Sequence, residues 1–343
     1  MAEAPTVVHP VPPHVTSIMR KLACMNGTTG LKAPGLTIAD TIGNTPLVRL
    51  DRLTRDRDFT LWAKLEYFNP GGSAKDRTAQ AMVTAGTLKP GDMVVESSSG
   101  NLGIALAREA VLGDWTFHCV VDPRANRSTV KHMQALGAVV HQITEPDEET
   151  GDWLVARRKR VAQLLQEIPE AICLDQYSNT EAFRAHQEGT MAEIVQQLGH
   201  APDHLLVAVS TTGTIGGCLR HIEAHHLPTQ VTAVDAMGSV LFDGNPGPRH
   251  LPGFGAGMVP ELSRQITPHR VLRVADRESV EGARTLVRKE TILPGASGGA
   301  VIAAVDKLKD VFESGSDVVV ILHDSGTRYM DTIYNDDWVE ETL

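Results

Sequence analysis

Leu205-Leu206-Val207-Ala208-Val209-Ser210-Thr211-Thr212-Gly213-Thr214 is the stretch whose reading decides the fold. Its first five residues form a short apolar, β-rich run, the pattern of a strand inside a parallel sheet covered by helices. The turn that follows is rich in hydroxyls and glycine and opens a helix, so its backbone N–H groups and hydroxyls suit a dianionic phosphate. A hydroxyl-rich helix N-cap with no ligand is the plainer reading of the same residues. The nucleotide-binding P-loop is excluded, because GxxxxGK[ST] does not occur and no lysine ends this turn.

Working outward, further β-rich runs at residues 61–65, 93–96, 117–121, 231–235 and 318–322 alternate with helical patterns. The helical patterns fall at residues 74–85, 102–110, 128–136, 154–165, 180–198, 280–289 and 300–312. This alternation predicts an α/β protein with mainly parallel twisted sheets. Four turns rich in glycine and hydroxyls, at residues 69–75, 97–103, 210–217 and 294–299, are each expected between a strand and the next helix. In open α/β sheets, ligands collect at such places. Residues 1–37, with Pro10, Pro12, Pro13 and Pro34, read as an N-terminal extension.

The 343 residues, 42% hydrophobic and 22% charged, suggest two domains with ample core. A net charge of -10 leaves no extended basic footprint for nucleic acid, and the run from Arg157 to Arg160 reads as a solvated helix face. Cys24, Cys119, Cys173 and Cys218 form no CxxC pair, which fits a reducing compartment. No apolar stretch is long enough for a membrane span and no signal-peptide layout is present, so a cytoplasmic protein without membrane partners is expected.

Lys75 follows Gly71-Gly72-Ser73 and falls in the first turn of a predicted helix, where the positive end of the dipole disfavours an ammonium. A depressed lysine pKa is what Schiff-base chemistry needs, although a lysine beside Asp76 and Arg77 is also an ordinary surface charge. Ser97-Ser98-Ser99-Gly100-Asn101 offers hydroxyls and an amide to a carboxylate at a helix N-terminus, or merely caps that helix. Gly295-Ala296-Ser297-Gly298-Gly299 matches the GxSxG elbow of hydrolases, with Ser297 as nucleophile and His323 the only later histidine. Too little chain follows Ser297 to place an acid and a base. His221 and His225 share a helical face, but without HExxH or PCxxC they read as solvated residues with no metal. Gly253-Phe254-Gly255-Ala256-Gly257 follows a proline in a loop, not a strand, so a dinucleotide site is rejected.

Taken in order, Ile42-Gly43-Asn44-Thr45-Pro46-Leu47, Lys64-Leu65-Glu66, Asn69-Pro70-Gly71-Gly72-Ser73-Ala74-Lys75-Asp76-Arg77, Ser99-Gly100-Asn101 and the 210–214 turn resemble the cysteine synthase family of fold-type II pyridoxal-phosphate (PLP) enzymes. The resemblance runs from about residue 38 to the end. It implies a tryptophan synthase β-like fold, with residues 38–80 and 176–343 as the larger PLP domain and 81–175 as a smaller mobile one. It implies that Lys75 carries the cofactor as a Schiff base and that Ser210, Thr211, Thr212, Gly213 and Thr214 hold its phosphate. Asn101 would bond the ring 3'-oxygen and Ser297 the pyridine nitrogen. Ser98, Ser99, Gly100 and Asn101, helped by Gln176, would grip the substrate carboxylate. A homodimer acting on small amino acids is implied as well.

Two positions depart from the usual family pattern: Leu102 stands where threonine is usual, and Ser210 where glycine is usual. With Val234-Asp235-Ala236-Met237-Gly238-Ser239-Val240 and the ending from Arg328-Tyr329-Met330-Asp331 to Trp338, they resemble the branch that joins O-phospho-L-serine to L-glutamate. That branch starts 2,3-diaminopropionate formation for siderophores and peptide antibiotics. Arg157, assisted by Tyr177 and Ser210, is then the expected extra anion-binding group. A sulfide-using cysteine synthase, a serine hydrolase built on Ser297 and a catalytically silent protein of this fold remain as alternatives.

Overall fold

The computed structural model describes residues 37–98 and 100–343; the expected extension over residues 1–36, with Cys24, and the candidate Ser99 lie outside the described residues. Residues 37–41 are the described part of a separate unit that ends at Thr41. They form a 3-10 turn, Ile38–Thr41, in which the Asp40 carboxylate accepts from the Thr37 amide at 2.7 Å.

Residues 42–343 carry two sheets. The larger contains β1 (Leu47–Arg49), β2 (Thr60–Leu65), β6 (His204–Ala208), β7 (Gln230–Ala236), β8 (Arg270–Val274) and β9 (Asp317–Leu322), in the order β1-β2-β9-β6-β7-β8. Only the β1–β2 pair is antiparallel. The smaller contains β3 (Met93–Ser97), β4 (Thr116–Val121) and β5 (Val139–Gln142), all parallel.

The central strands are apolar because both faces are covered: β6 is buried at every residue and β9 at all but its first. Leu206, Val318 and Val320 point to one core while Leu205, Val207, Val319 and Ile321 point to the other, the period-2 consequence of strand geometry. The strands without a strong signal, β1, β5 and β8, are edge strands. They are short or carry arginine, and none is buried throughout.

The helices are α1 (Lys75–Gly86), α2 (Asn101–Gly113), α3 (Arg127–Ala135), α4 (Trp153–Glu167), α5 (Glu181–Ala185), α6 (Ala192–Leu198), α7 (Gly213–Ala224), α8 (Asp276–Glu290), α9 (Ala296–Leu308) and α10 (Asp336–Thr342). Capping follows local chemistry. The Asp152 carboxylate accepts from the Leu154 and Val155 amides to start α4, and Asn126 does the same for α3 through Ser128. The helix expected over residues 180–198 is interrupted by a π turn, His186–Met191, between α5 and α6. Helices α8 and α9 lie backbone to backbone, since a Cβ on Gly299 would collide with the Ser279 carbonyl and one on Gly282 with the Gly299 carbonyl.

Three expectations are corrected. Residues 294–299 do not follow a strand: they join α8 to α9, and Pro294 makes only an isolated bridge to Ser325. His221 is not solvated, because α7 packs on the π turn, where its Nδ1 bonds the Gln187 carbonyl at 2.8 Å. The run from Arg157 to Arg160 is not uniformly solvated, since Arg157 is only 8% exposed while Arg158 and Lys159 face out. No helix among the described residues is long and apolar enough to cross a membrane.

Candidate active site

A cavity of about 230 Å³ opens where the turns after β2, β3, β6 and β9 converge with the α8–α9 turn. It gathers Lys75, Ser98, Gly100, Asn101, Arg157, Gln176, Tyr177, the Ser210 to Thr214 turn and Ser297. Residues far apart in sequence meet there because parallel strands present their carboxyl ends on one side of a sheet.

Lys75 begins α1, and the residues beside it hold that helix end in place. Asp76 accepts from the Gly71 amide at 3.1 Å and pairs with Arg108 of α2. Arg77 pairs with Glu66 at 2.7 Å and with Glu193 at 2.7 Å, and Lys64 also reaches Glu193 at 2.7 Å. These neighbours are buried and paired, so Lys75 is not part of a surface charge cluster. Burial brings its pKa down to about 8, opposed by the carboxylate of Asp324. The main cause is therefore desolvation, not the helix dipole alone.

The turn after β6 is shaped as a cup. Thr212 holds a left-handed φ of 67° and does not cap α7 with its side chain, and the first-turn residues Gly213, Thr214 and Ile215 line the cavity, where an α-helix leaves its first amides without helical partners. Ser210 Oγ donates to the Gly255 carbonyl at 3.0 Å, Thr212 Oγ1 donates to the Thr211 carbonyl at 2.7 Å, and Thr214 Oγ1 lies 3.3 Å from His186 Nε2.

Opposite the cup stands the turn after β3. Ser98 Oγ accepts from the Gly103 amide at 2.9 Å, so this hydroxyl caps α2. Asn101 Nδ2 donates to Asp324 Oδ2 at 2.8 Å, and its Oδ1 accepts from Arg328. Gln176 Nε2 donates to the Ser97 carbonyl at 3.1 Å and braces the turn from behind.

Arg157 lies on α4 with Nε 3.2 Å from Asp122 Oδ2, which orients a buried guanidinium at the cavity wall. Tyr177 shares that wall, and burial pushes its phenol up to about 12 despite the nearby Arg157 charge, so it stays a neutral donor. Ser297, in the first turn of α9, is buried and forms no hydrogen bond with a histidine among the described residues. The strand-to-helix geometry of a hydrolase elbow is missing there as well.

Among the polar lining residues, Asp324 escaped the sequence reading, which gave His323 only a part in the hydrolase alternative and Tyr329 only a place in the C-terminal motif. His323 and Asp324 follow β9 directly and Tyr329 ends the 3-10 turn beyond them, Gly326–Tyr329; their place after a buried strand was the available signal. Burial, followed by the Lys75 charge, lowers the His323 pKa to about 3, which keeps the imidazole neutral.

A family model described as pyridoxal-phosphate dependent enzyme matches residues 38–324. Among solved structures, an O-ureido-L-serine synthase is 28% identical with a TM-score of 0.79, covering 90% of this chain and 100% of its own. An O-acetylserine dependent cystathionine β-synthase from Helicobacter pylori is 29% identical with a TM-score of 0.80, covering 89% and 100%. A hydrogen sulfide-producing enzyme from Fusobacterium nucleatum is 27% identical with a TM-score of 0.80, covering 86% and 100%.

Proposed function

Because the chain belongs to the pyridoxal-phosphate dependent enzyme family, we propose that it joins O-phospho-L-serine to L-glutamate by β-replacement, giving N-(2-amino-2-carboxyethyl)-L-glutamate and phosphate. This product class leads to 2,3-diaminopropionate. The cavity suits the family's cofactor: an uncapped helix end faces a hydroxyl-lined cup, and a buried amine of lowered pKa stands on another wall. In this reading Lys75 carries the cofactor, Ser210 to Thr214 hold its phosphate, and Asn101 and Ser297 meet its ring. When bound, PLP supplies an electrophilic carbon for the amine of an amino acid and an electron sink for its α-carbon.

The chain's own groups do the rest. The turn from Ser98 to Asn101, with Ser99 included and Gln176 behind it, binds the α-carboxylate at the N-terminus of α2. Lys75, once free, takes the α-proton and later returns one. Ser297 presents a neutral hydroxyl, which favours elimination over transamination because it does not hold a charged ring nitrogen as a carboxylate would. Residues 81–175 would close over the substrate, with amide protection near residues 98–103 as the readout.

The observation that carries the choice of donor is Arg157: a buried guanidinium on the wall that also holds Tyr177, in a cavity already provided with a phosphate cup. The dianionic phosphate ester of O-phosphoserine calls for such a second anion site; the neutral ester of O-acetylserine does not. The test is a mass spectrum of products formed when the purified enzyme meets O-phosphoserine with glutamate and sulfide together. The glutamate adduct is expected. Cysteine alone would instead assign a cysteine synthase.

A further inference from the structure

Asp324 is the one carboxylate lining the cavity among the described residues, and none of the roles above uses it. It lies two residues past the end of β9, and the main chain there is stitched to the reactive turns. The Ala74 amide donates to the His323 carbonyl at 2.8 Å, and the Gly295 amide to the Asp324 carbonyl at 2.9 Å. The backbone that carries the carboxylate is therefore fixed to both the Lys75 and the Ser297 turns.

Its two oxygens are treated differently. Oδ2 accepts from Asn101 Nδ2 at 2.8 Å and from the Tyr329 hydroxyl at 2.8 Å. Oδ1 is buried with no hydrogen-bond partner among the described residues, packed against Gly295, where any Cβ would collide with it. A buried acceptor left open is costly unless a cation answers it. Two neutral donors on Oδ2 favour the ionised form. Arg328, which bonds Asn101 Oδ1 and the Gly71 carbonyl at 2.7 Å, adds a positive charge from the same segment.

We propose that Asp324 is a positioning residue for Lys75: a fixed, buried counter-charge that offsets part of the desolvation, so that the freed amine can hold the proton it takes, while holding the Asn101 amide in one orientation. Burial lowers the proton affinity of a lysine in such a place, and the other titratable groups near Lys75, His186 and His323, are held neutral and offer it no negative charge. Asp324 supplies one. Burial pushes its own pKa up, resisted by Asn101, Tyr329, Arg328 and Lys75.

The proposal rests on the role given to Lys75 but not on which substrates are joined, because its test contains no substrate. In the full-length chain freed of cofactor, the pH midpoint for acetylation of Lys75 by acetic anhydride is read by peptide mass spectrometry. Asp324→Asn should lower that midpoint by about one unit, the effect of removing an opposite charge at a buried site. Asp324→Glu should restore much of it, and Tyr329→Phe, which keeps the carboxylate, should leave it near the wild-type value. An unchanged midpoint in folded Asp324→Asn overturns the proposal. If that variant does not fold, the reciprocal measurement decides, since linkage makes the effect mutual. In Lys75→Ala protein labelled with carboxyl-¹³C aspartate, the Asp324 resonance should titrate at higher pH than in wild type, and an unmoved resonance overturns the proposal equally.

Discussion

Truncating Arg157 to alanine separates the phosphate-donor reading from its rivals. The guanidinium is buried and held by Asp122, and its loss does not strand that carboxylate: Arg124 keeps Nη2 3.1 Å from Oδ2, and the Arg124 amide stays 2.9 Å from Oδ1. The variant should therefore fold, and its defect should lie in binding the leaving anion. A hydrogen bond to a charged group contributes roughly 1.5 to 3 kcal/mol. At about 1.4 kcal/mol per tenfold, Arg157→Ala should lower kcat/KM for O-phosphoserine by about ten- to a hundredfold. O-acetylserine, whose leaving group carries less charge, should lose much less. The assay is steady-state release of phosphate or acetate at saturating glutamate, with the melting temperature as a folding control. Equal losses with both donors, or a wild-type preference for O-acetylserine and sulfide, would refute the reasoning.

Three further outcomes are expected. In the cofactor-free chain the Lys75 pKa lies near 8 against 10.5 when unperturbed, so between those values the unfolded state holds a proton the folded state lacks. Stability should rise with pH across that window, and the advantage of Lys75→Met in urea unfolding, full at about pH 7, should shrink toward about pH 10; a constant gap would contradict the burial argument. Wild-type protein should be yellow with bound PLP and Ser297→Ala should remain so with part of its activity, whereas a nucleophile's loss would abolish turnover. Gly299→Ala should destabilise the fold by about 1 to 3 kcal/mol in denaturant, because the added methyl meets the Ser279 carbonyl; a neutral change would mean that α8 and α9 separate freely.

The α/β class and most of the central strands were legible in the chain because burial on both faces requires uninterrupted apolar runs, as in Val318 to Leu322. The turns after β2, β3 and β6 were legible too, since glycine and hydroxyls cluster where a strand passes into a helix; the one at residues 294–299 was legible as a turn but joins two helices. Edge strands β1, β5 and β8 were not, because half-exposed strands tolerate the residues that loops use. Local sequence also misjudged environment: Arg157 and His221 look solvated by composition and are buried by helices packing from elsewhere. The same holds for Lys75, whose lowered pKa comes first from desolvation, a property of everything around it. By itself the sequence determined which chemical groups the enzyme owns and on which turns they ride. Only the tertiary structure decided that Asp324 and His323 face those groups, because that depends on which strand ends lie side by side, and strand order is a long-range outcome of packing.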